Sequence, residues 1–165
     1  MVDLMRLFVG DFEEIHSFVS NDFWKYDVED NCYALMRTND GIVGMLHSSA
    51  TQWRHRFSLE IGLEKGSITL GGILTSSKSY GAETLTIAYA SPEEDKGDPK
   101  EHTIRYNRDS SWEDEVNEFI NAILNDYPVI SGSSFEALKT MQLVFQIYYA
   151  DLIWRKKYNI PNPKN

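Results

Sequence analysis

A chain of 165 residues and 19.0 kDa predicts one domain, spanning residues 1–165. Hydrophobic residues make up 42% and charged residues 25%, an ordinary globular composition that excludes disorder for the body of the chain. The 16 basic and 25 acidic side chains leave a net charge of −9. Such acidity argues against a nucleic-acid partner, because phosphate backbones are bound by basic surfaces.

The single cysteine, Cys32, excludes an internal disulfide and a multi-cysteine zinc site. We interpret it as a small buried apolar residue. No apolar run approaches the roughly 20 residues that span a bilayer, and the N-terminus lacks the basic, apolar and small-residue regions of a secretory signal. We therefore expect a cytoplasmic protein that binds no membrane.

The first element along the chain is a short helical pattern. Residues 3–8 have the apolar spacing of the last turns of a helix, and Gly10 ends it. Because a helix normally has a capping residue and two or three turns, we expect this one to begin before Met1.

Residues 13–107 follow the period-two pattern of β-strands. Arg56–Leu63 shows it most clearly, since apolar residues at 57, 59, 61 and 63 alternate with other residues. Asn39-Asp40-Gly41 predicts a hairpin, because these residues tolerate positive φ. Successive hairpins without intervening helices predict an antiparallel sheet. Weaker strand patterns occur at Ile15–Ser20, Asn31–Arg37, Ile42–Ser49, Ser67–Leu70, Thr84–Tyr89 and His102–Tyr106. We expect loops at 71–81 and 91–100.

The C-terminal third has helical spacing. Ser110 and Ser111 precede Glu113 and Asp114 as overlapping capping boxes, and Ser133 caps a second helix. The predicted apolar stripes are Val116, Phe119, Ile120, Ile123 and Leu124 in one helix, and Leu138, Met141, Phe145, Tyr148 and Leu152 in the other. The expected fold is therefore α+β, an open, mostly antiparallel β-sheet with helices packed on one face, followed by a loose tail at 156–165.

Several kinds of catalytic site are excluded by spacing. The histidines at 16, 47, 55 and 102 have no partner at metal-ligand spacing, so we expect no metal. Gly71-Gly72 leads into no helix and therefore lacks the context of a dinucleotide-binding turn. Glu29 and Asp30 are expected to point to opposite faces of a strand and so cannot flank one bond.

Residues 20–31 and 47–53 mix aromatic rings with short polar side chains at strand ends. A carbohydrate-contacting surface has this composition, because rings stack on sugar faces while amides and carboxylates bind hydroxyls. Core aromatics and turn-forming Asn and Asp residues explain the same pattern, and both interpretations remain open.

The order of short motifs over residues 1–150 resembles the C-terminal half of the GFO/IDH/MocA oxidoreductases, relatives of glucose–fructose oxidoreductase and inositol dehydrogenase. The motifs that carry the resemblance are Asp-Leu-Met-Arg-Leu-Phe-Val-Gly-Asp-Phe, Val-Glu-Asp-Asn, Asn-Asp-Gly, His-Ser-Ser-Ala-Thr-Gln-Trp, Glu-Lys-Gly and Ser-Trp-Glu-Asp-Glu.

This resemblance implies an NAD(P)-dependent dehydrogenase of sugars or polyols. In the family, an N-terminal Rossmann domain holds the nucleotide and supplies a catalytic lysine, and one face of the C-terminal sheet takes part in oligomer contacts. Asp3 matches the last aspartate of the family's Asp-x-x-x-His-x-x-Asp pattern, whose histidine would fall just before Met1. We therefore expect this chain to lack the Rossmann domain, to bind no cofactor itself and to supply no catalytic residue.

Two functions remain open. The first is the substrate-side and oligomerisation domain of a sugar or polyol dehydrogenase, inactive alone, with a separate nucleotide-binding chain as one possible partner. The second is a stand-alone binding or scaffold module that pairs with itself or another chain. A hydrolase using Asp30 or Glu60 is the least favoured alternative. The resemblance and the aromatic segments together make a sugar-like small molecule the expected ligand. Its candidate contacts are Asp3, Trp24, Tyr26, Gln52 and Trp53.

Overall fold

A computed structural model describes residues 1–75, 80–91, 97 and 99–163. Parts of the predicted loops at 71–81 and 91–100 therefore lie outside the described residues. The chain divides into two compact units, one of Met1–Gln52 with Val129–Asn165 and one of Trp53–Pro128. The first unit contains α1 (Val2–Val9), β1 (Phe12–Ser20), β2 (Asn31–Thr38), β3 (Val43–Ser49), α2 (Ser134–Ala150) and α3 (Leu152–Tyr158).

The three strands of the first unit form an antiparallel sheet in the order β1-β2-β3. The predicted hairpin is confirmed, because β2 ends at Thr38, β3 begins at Val43 and Gly41 between them has a φ of 86°. Alternate residues of β2 are buried, which places one face of the sheet against the helices. Cys32 belongs to that buried set, as predicted. The hydrophobic core is Met5, Phe12, Val19, Cys32, Ala34, Met36, Leu46, Leu143, Ile147 and Trp154.

Helix α2 packs on β1, but not through the stripe predicted from its sequence. Leu138, Met141 and Phe145 are 56%, 50% and 41% exposed, whereas Leu143 and Ile147 are buried. The helix is apolar on more than one side, so periodicity alone could not select the buried stripe. The contact with β1 selects it, since the Ser17 hydroxyl donates to the Ile147 carbonyl at 2.5 Å.

Asp151 separates the last two helices. Its backbone is extended, and its Oδ1 accepts from the N–H groups of Ile153 and Trp154 at 2.8 and 2.9 Å, which caps α3. Its Oδ2 accepts from the N–H of Val19 at 2.7 Å and so ties the cap to β1. Helix α3 includes residues 156–158 of the segment that we expected to be loose.

The second unit contains β4 (Ser58–Leu63), β5 (Gly66–Gly71), β6 (Glu83–Tyr89), β7 (Glu101–Tyr106) and α4 (Ser111–Asn125). Its strands form an antiparallel sheet in chain order, and the register aligns aliphatic side chains of neighbouring strands on the same face. One face is aliphatic and carries Leu59, Ile61, Ile68, Leu70, Leu85, Ile87 and Ile104. None of the described residues of this unit is buried.

Helix α4 begins where the capping boxes predict, with Ser110 as its N-cap, although the Ser110 side chain makes no capping hydrogen bond. Instead, Asp109 Oδ1 accepts from the N–H of Ser111 at 3.1 Å. The predicted stripe of this helix, residues 116, 119, 120, 123 and 124, is between 45% and 76% exposed. The expectation that it packs on a sheet is therefore wrong, while the α+β class with an antiparallel sheet and a packed helix is confirmed by the first unit. Within the described ranges, no helix has the length and apolarity to cross a membrane.

Candidate functional site

The connection between β1 and β2 forms an open cleft in the first unit. Its volume is about 420 Å³. The aromatic side chains at 24 and 26 stand beside carboxylates at 29 and 30, a combination suited to a polyhydroxylated ring. The lining residues are Trp24, Tyr26, Val28, Glu29, Asp30 and Ala50.

Asp30 organises this loop. Its Oδ2 accepts from the backbone N–H groups of Phe23 and Trp24 at 2.8 and 3.1 Å. Its Oδ1 accepts from Asn31 Nδ2 at 3.0 Å and from the Ser20 hydroxyl at 3.4 Å. Burial alone would raise the pKa of Asp30, but the hydrogen bonds led by those from Trp24 and Phe23 lower it below its ordinary value. Asp30 therefore stays ionised and holds the loop closed on itself.

Asn21 anchors the same loop to α3. Its Nδ2 donates to the Tyr26 carbonyl and, at 2.7 Å, to the Tyr158 hydroxyl. Its Oδ1 accepts from Lys157 Nζ at 2.7 Å. The backbone at Tyr26 is thus tied to the C-terminal helix, more than 130 residues away in sequence.

The two aromatic rings remain accessible on this fixed backbone. Trp24 is 51% and Tyr26 67% exposed. The Trp24 Nε1 donates to the Ala50 carbonyl at 3.4 Å, and the Phe23 ring meets the Trp24 ring edge-on with centroids 4.9 Å apart. An exposed ring on an anchored backbone loses little conformational freedom when a ligand stacks on it.

Glu29 connects the cleft to the core. The Tyr148 hydroxyl donates to the Glu29 carboxylate, and burial followed by this contact raises the pKa of Tyr148 above its ordinary range. Burial, with the charges of Glu29 and Asp151, also raises the pKa of Cys32 to about 11. Burial is the largest cause of both shifts, and the charge of Glu29 adds to each.

The expectation that Glu29 and Asp30 point to opposite faces of a strand is wrong. Strand β2 begins only at Asn31, so both acids precede it, and both line the cleft. The acidic pair beside the aromatic segment was the sequence signal for this cleft. It was missed because both acids were assigned to a strand.

The five candidate ligand residues are divided by the structure. Trp24 and Tyr26 line one cleft. Asp3 lies on α1, where its Oδ1 accepts from the Thr140 hydroxyl at 2.6 Å, and it does not line the cleft. Gln52 is exposed at the end of the first unit's opening segment and does not line the cleft either. Trp53 is fully exposed and belongs to the second unit.

A second charged cluster surrounds Arg6 and is internally satisfied. The Arg6 guanidinium contacts Asp11 Oδ1 at 3.0 Å, Glu136 Oε2 at 2.8 Å and the Thr140 hydroxyl at 2.9 Å. Lys139 Nζ donates to Asp11 Oδ2 at 2.9 Å. This network joins α1, the start of β1 and α2, so we assign it to stability.

The Gly71-Gly72 turn does not fit a dinucleotide. Gly71 ends β5, Gly72 follows it, and the next described element is β6 rather than a helix with a free N-terminus. A Cβ on Gly72 would lie 2.1 Å from the Ala82 carbonyl oxygen, so this glycine serves a close backbone approach. The described part of the chain also contains no group of three or more metal-ligating side chains.

Comparison with known families supports the resemblance found in the sequence. Residues 1–69 match the sequence profile of the GFO/IDH/MocA C-terminal domain. No curated protein sequence is a significant match to the chain.

Solved structures extend the likeness in fold beyond residue 69. The UDP-N-acetylglucosamine 3-dehydrogenase GnnA from Acidithiobacillus ferrooxidans is 17% identical with a TM-score of 0.71, over 93% of this chain and 46% of its own. A levoglucosan dehydrogenase in complex with NADH and levoglucosan is 19% identical with a TM-score of 0.67, over 95% of this chain and 46% of its own. The WlbA dehydrogenase from Bordetella pertussis, in complex with NADH and UDP-GlcNAcA, is 17% identical with a TM-score of 0.62, over 90% of this chain and 39% of its own. The chain thus spans less than half the length of each of these proteins.

Proposed function

We propose that this chain, whose residues 1–69 match the GFO/IDH/MocA C-terminal domain, is the substrate-side part of an NAD(P)-dependent dehydrogenase of sugars or polyols. Its task is to hold the hydroxylated substrate, while a nucleotide-binding domain or a separate nucleotide-binding chain supplies the cofactor and the catalytic base. Two proteins of similar fold are seen in complex with NADH, one together with UDP-GlcNAcA and the other with levoglucosan.

The cleft beside Trp24 is the observation that supports this proposal. It offers two accessible rings for stacking on a sugar face, and Glu29 as a hydrogen-bond acceptor for hydroxyl groups. Asp30 and Asn21 fix the backbone of the loop before a ligand binds. Binding therefore does not have to offset the conformational entropy of ordering the loop.

Ligand-observed NMR with glucose, levoglucosan and inositol tests this function. We expect at least one of them to bind and Tyr26→Ala to weaken that binding roughly fivefold, because a stacking ring contributes roughly 1 kcal/mol. Tyr33→Ala is the matched control, since Tyr33 is an exposed ring of the same unit that stacks on His47 and does not line the cleft. Binding that Tyr26→Ala leaves unchanged, or that Tyr33→Ala weakens equally, would contradict the assignment.

The 165-residue chain alone should not catalyse hydride transfer. The Gly71-Gly72 turn is followed by strand β6 and not by the helix of a dinucleotide-binding turn, and hydride transfer needs the nicotinamide held against the substrate. Reduction of NAD or NADP by the pure chain, with any of the three polyols, would overturn this expectation.

We also propose that the chain self-associates, and the aliphatic face of the second unit favours this. On this face, aliphatic side chains are aligned in two rows across strands β4, β5 and β6, one row through Leu70 and one through Ile68. The row through Leu70 continues onto β7. These side chains are only partly covered. Apolar faces of this kind mark protein interfaces, and stable interfaces bury roughly 1,200–2,000 Å² in total or more. The same face would serve a scaffold module without chemistry, the second candidate function.

Light scattering measures the molar mass in solution and so shows whether the aliphatic face is an interface between copies of the chain. Ile68→Lys puts a charge in the middle of the aliphatic face and should yield a monomer. Thr69→Lys puts the same charge on the opposite face of the same strand and should leave the oligomer intact. A wild-type chain that stays monomeric at micromolar concentrations would contradict self-association.

A further inference from the structure

We infer that the Trp24–Tyr26 cleft selects cationic ligands: an amino sugar or amino polyol binds in preference to its neutral counterpart, and anionic sugars are rejected. This inference rests on the proposed function, since it concerns the ligand of the same cleft.

The charges around the cleft are of one sign. Two of its six lining residues, Glu29 and Asp30, are acids and none is basic. The loop that forms it carries four carboxylates, at positions 22, 27, 29 and 30, against one lysine at 25. A cleft lined by one sign of charge concentrates ligands of the opposite sign.

The two lining carboxylates act in different ways. Both oxygens of Asp30 already accept hydrogen bonds from the loop, so Asp30 contributes through its field. Glu29 is held by the Tyr148 hydroxyl and retains lone pairs for a ligand. Because Glu29 is half-buried, its charge is screened less than that of a surface carboxylate.

The aromatic rings favour the same ligand charge. An ammonium group near the face of a tryptophan or tyrosine ring is attracted by the ring quadrupole. The nearby C-terminal helix supplies no competing cation to the lining, since Lys157 Nζ donates to Asn21 Oδ1 and lies 5.2 Å from the centroid of the Tyr158 ring. Rings and carboxylates therefore combine around one site in the manner of a cation-binding pocket.

A comparison of four sugars of one ring type tests the inference. Glucosamine, N-acetylglucosamine, glucose and glucuronate are titrated into the 165-residue chain at about pH 6, where an amine is protonated. We expect glucosamine to bind roughly threefold to tenfold more tightly than glucose or N-acetylglucosamine, from one carboxylate contact and one ring contact. Glucuronate should bind most weakly, and the preference should shrink as salt is added.

Glu29→Gln should lower the affinity ratio of glucosamine to glucose, and the rings and Asp30 account for the preference that remains. Glu60→Gln is the matched control, because it removes the same charge from an exposed position on β4 and should leave the ratio unchanged. Equal binding of all four sugars overturns the inference and leaves the proposed function standing. A preference that Glu29→Gln leaves unchanged also overturns the inference. No binding by any sugar contradicts both the inference and the proposed function.

Discussion

The carboxylate of Asp30 accepts a hydrogen bond from the backbone N–H of Trp24 at 3.1 Å, and this contact holds the loop between β1 and β2 in place. Asp30 is the last residue of the loop between β1 and β2, and it binds backbone N–H groups in the middle of that loop. The loop therefore folds back on its own last residue. An exposed indole would otherwise be carried on a mobile chain. The cleft is thus built before any ligand arrives.

Asp30→Asn should loosen the loop and weaken sugar binding. The amide retains one acceptor oxygen but loses the charge that strengthens the bonds to the N–H groups of Phe23 and Trp24. We expect a lower melting temperature and faster hydrogen exchange at residues 23 and 24. Asp27→Asn is the control, since Asp27 is an exposed carboxylate of the same loop. Equal effects of the two substitutions would contradict the role given to Asp30.

The free energy of unfolding should fall in acid. A hydrogen bond from Lys139, stronger than the opposing effect of burial, lowers the pKa of Asp11 below 3.8, and the pKa of Asp30 is lowered too. A carboxyl with a lower pKa in the folded state stabilises the fold above its unfolded pKa and loses that contribution as pH falls through the folded value. Urea midpoints should therefore drop below about pH 3.8. Asp11→Asn should reduce this slope, and an unchanged slope would contradict the assignment.

Arg6→Lys should destabilise the first unit. The guanidinium reaches Asp11, Glu136 and Thr140 at once, a geometry that an ammonium group cannot reproduce. Because the two acids are half-exposed, we expect a loss of about 1–3 kcal/mol in urea unfolding. Arg37→Lys, at the exposed ion pair with Glu14, should cost less than about 0.5 kcal/mol. Similar losses at both arginines would be inconsistent with a buried network.

Cys32 should resist thiol reagents in the folded chain. Burial and the charges of Glu29 and Asp151 raise the pKa of Cys32 from 9.0 to about 11. At about pH 8 only about one thiol in a thousand is then ionised, and the thiolate is the reacting species. Labelling should be slow in the native state and fast in urea. Rapid labelling of the native chain would show that Cys32 is not buried and that its pKa is not raised.

Local patterns in the sequence predicted much of this fold. The Asn39–Gly41 turn and the alternation along β4 depend on neighbours a few residues apart, and both are found in the structure. Trp24 and Tyr26 were chosen on a local signal too, aromatic rings between polar turn residues, and both line one cleft. Their contact with a ligand stays a prediction.

Long-range contacts decided what the sequence did not reveal. Asp3 accepts a hydrogen bond from Thr140, 137 positions away, and its role as a ligand residue stays a prediction. The buried stripe of α2 depends on Ser17 of β1, and the anchor of Tyr26 depends on Asn21, which Lys157 and Tyr158 of α3 hold. Periodicity carries no information about partners at such separations.

The position of the bound ligand is tested most directly by the indole N–H signals in a nitrogen-15 NMR spectrum of the chain. Four tryptophans give four signals, assigned by single Trp→Phe variants, for Trp24, Trp53, Trp112 and Trp154. A sugar in the cleft should shift the Trp24 signal in proportion to occupancy and leave those of buried Trp154 and helical Trp112 in place. A Trp24 signal that never moves while the sugar binds would contradict the cleft as the substrate site.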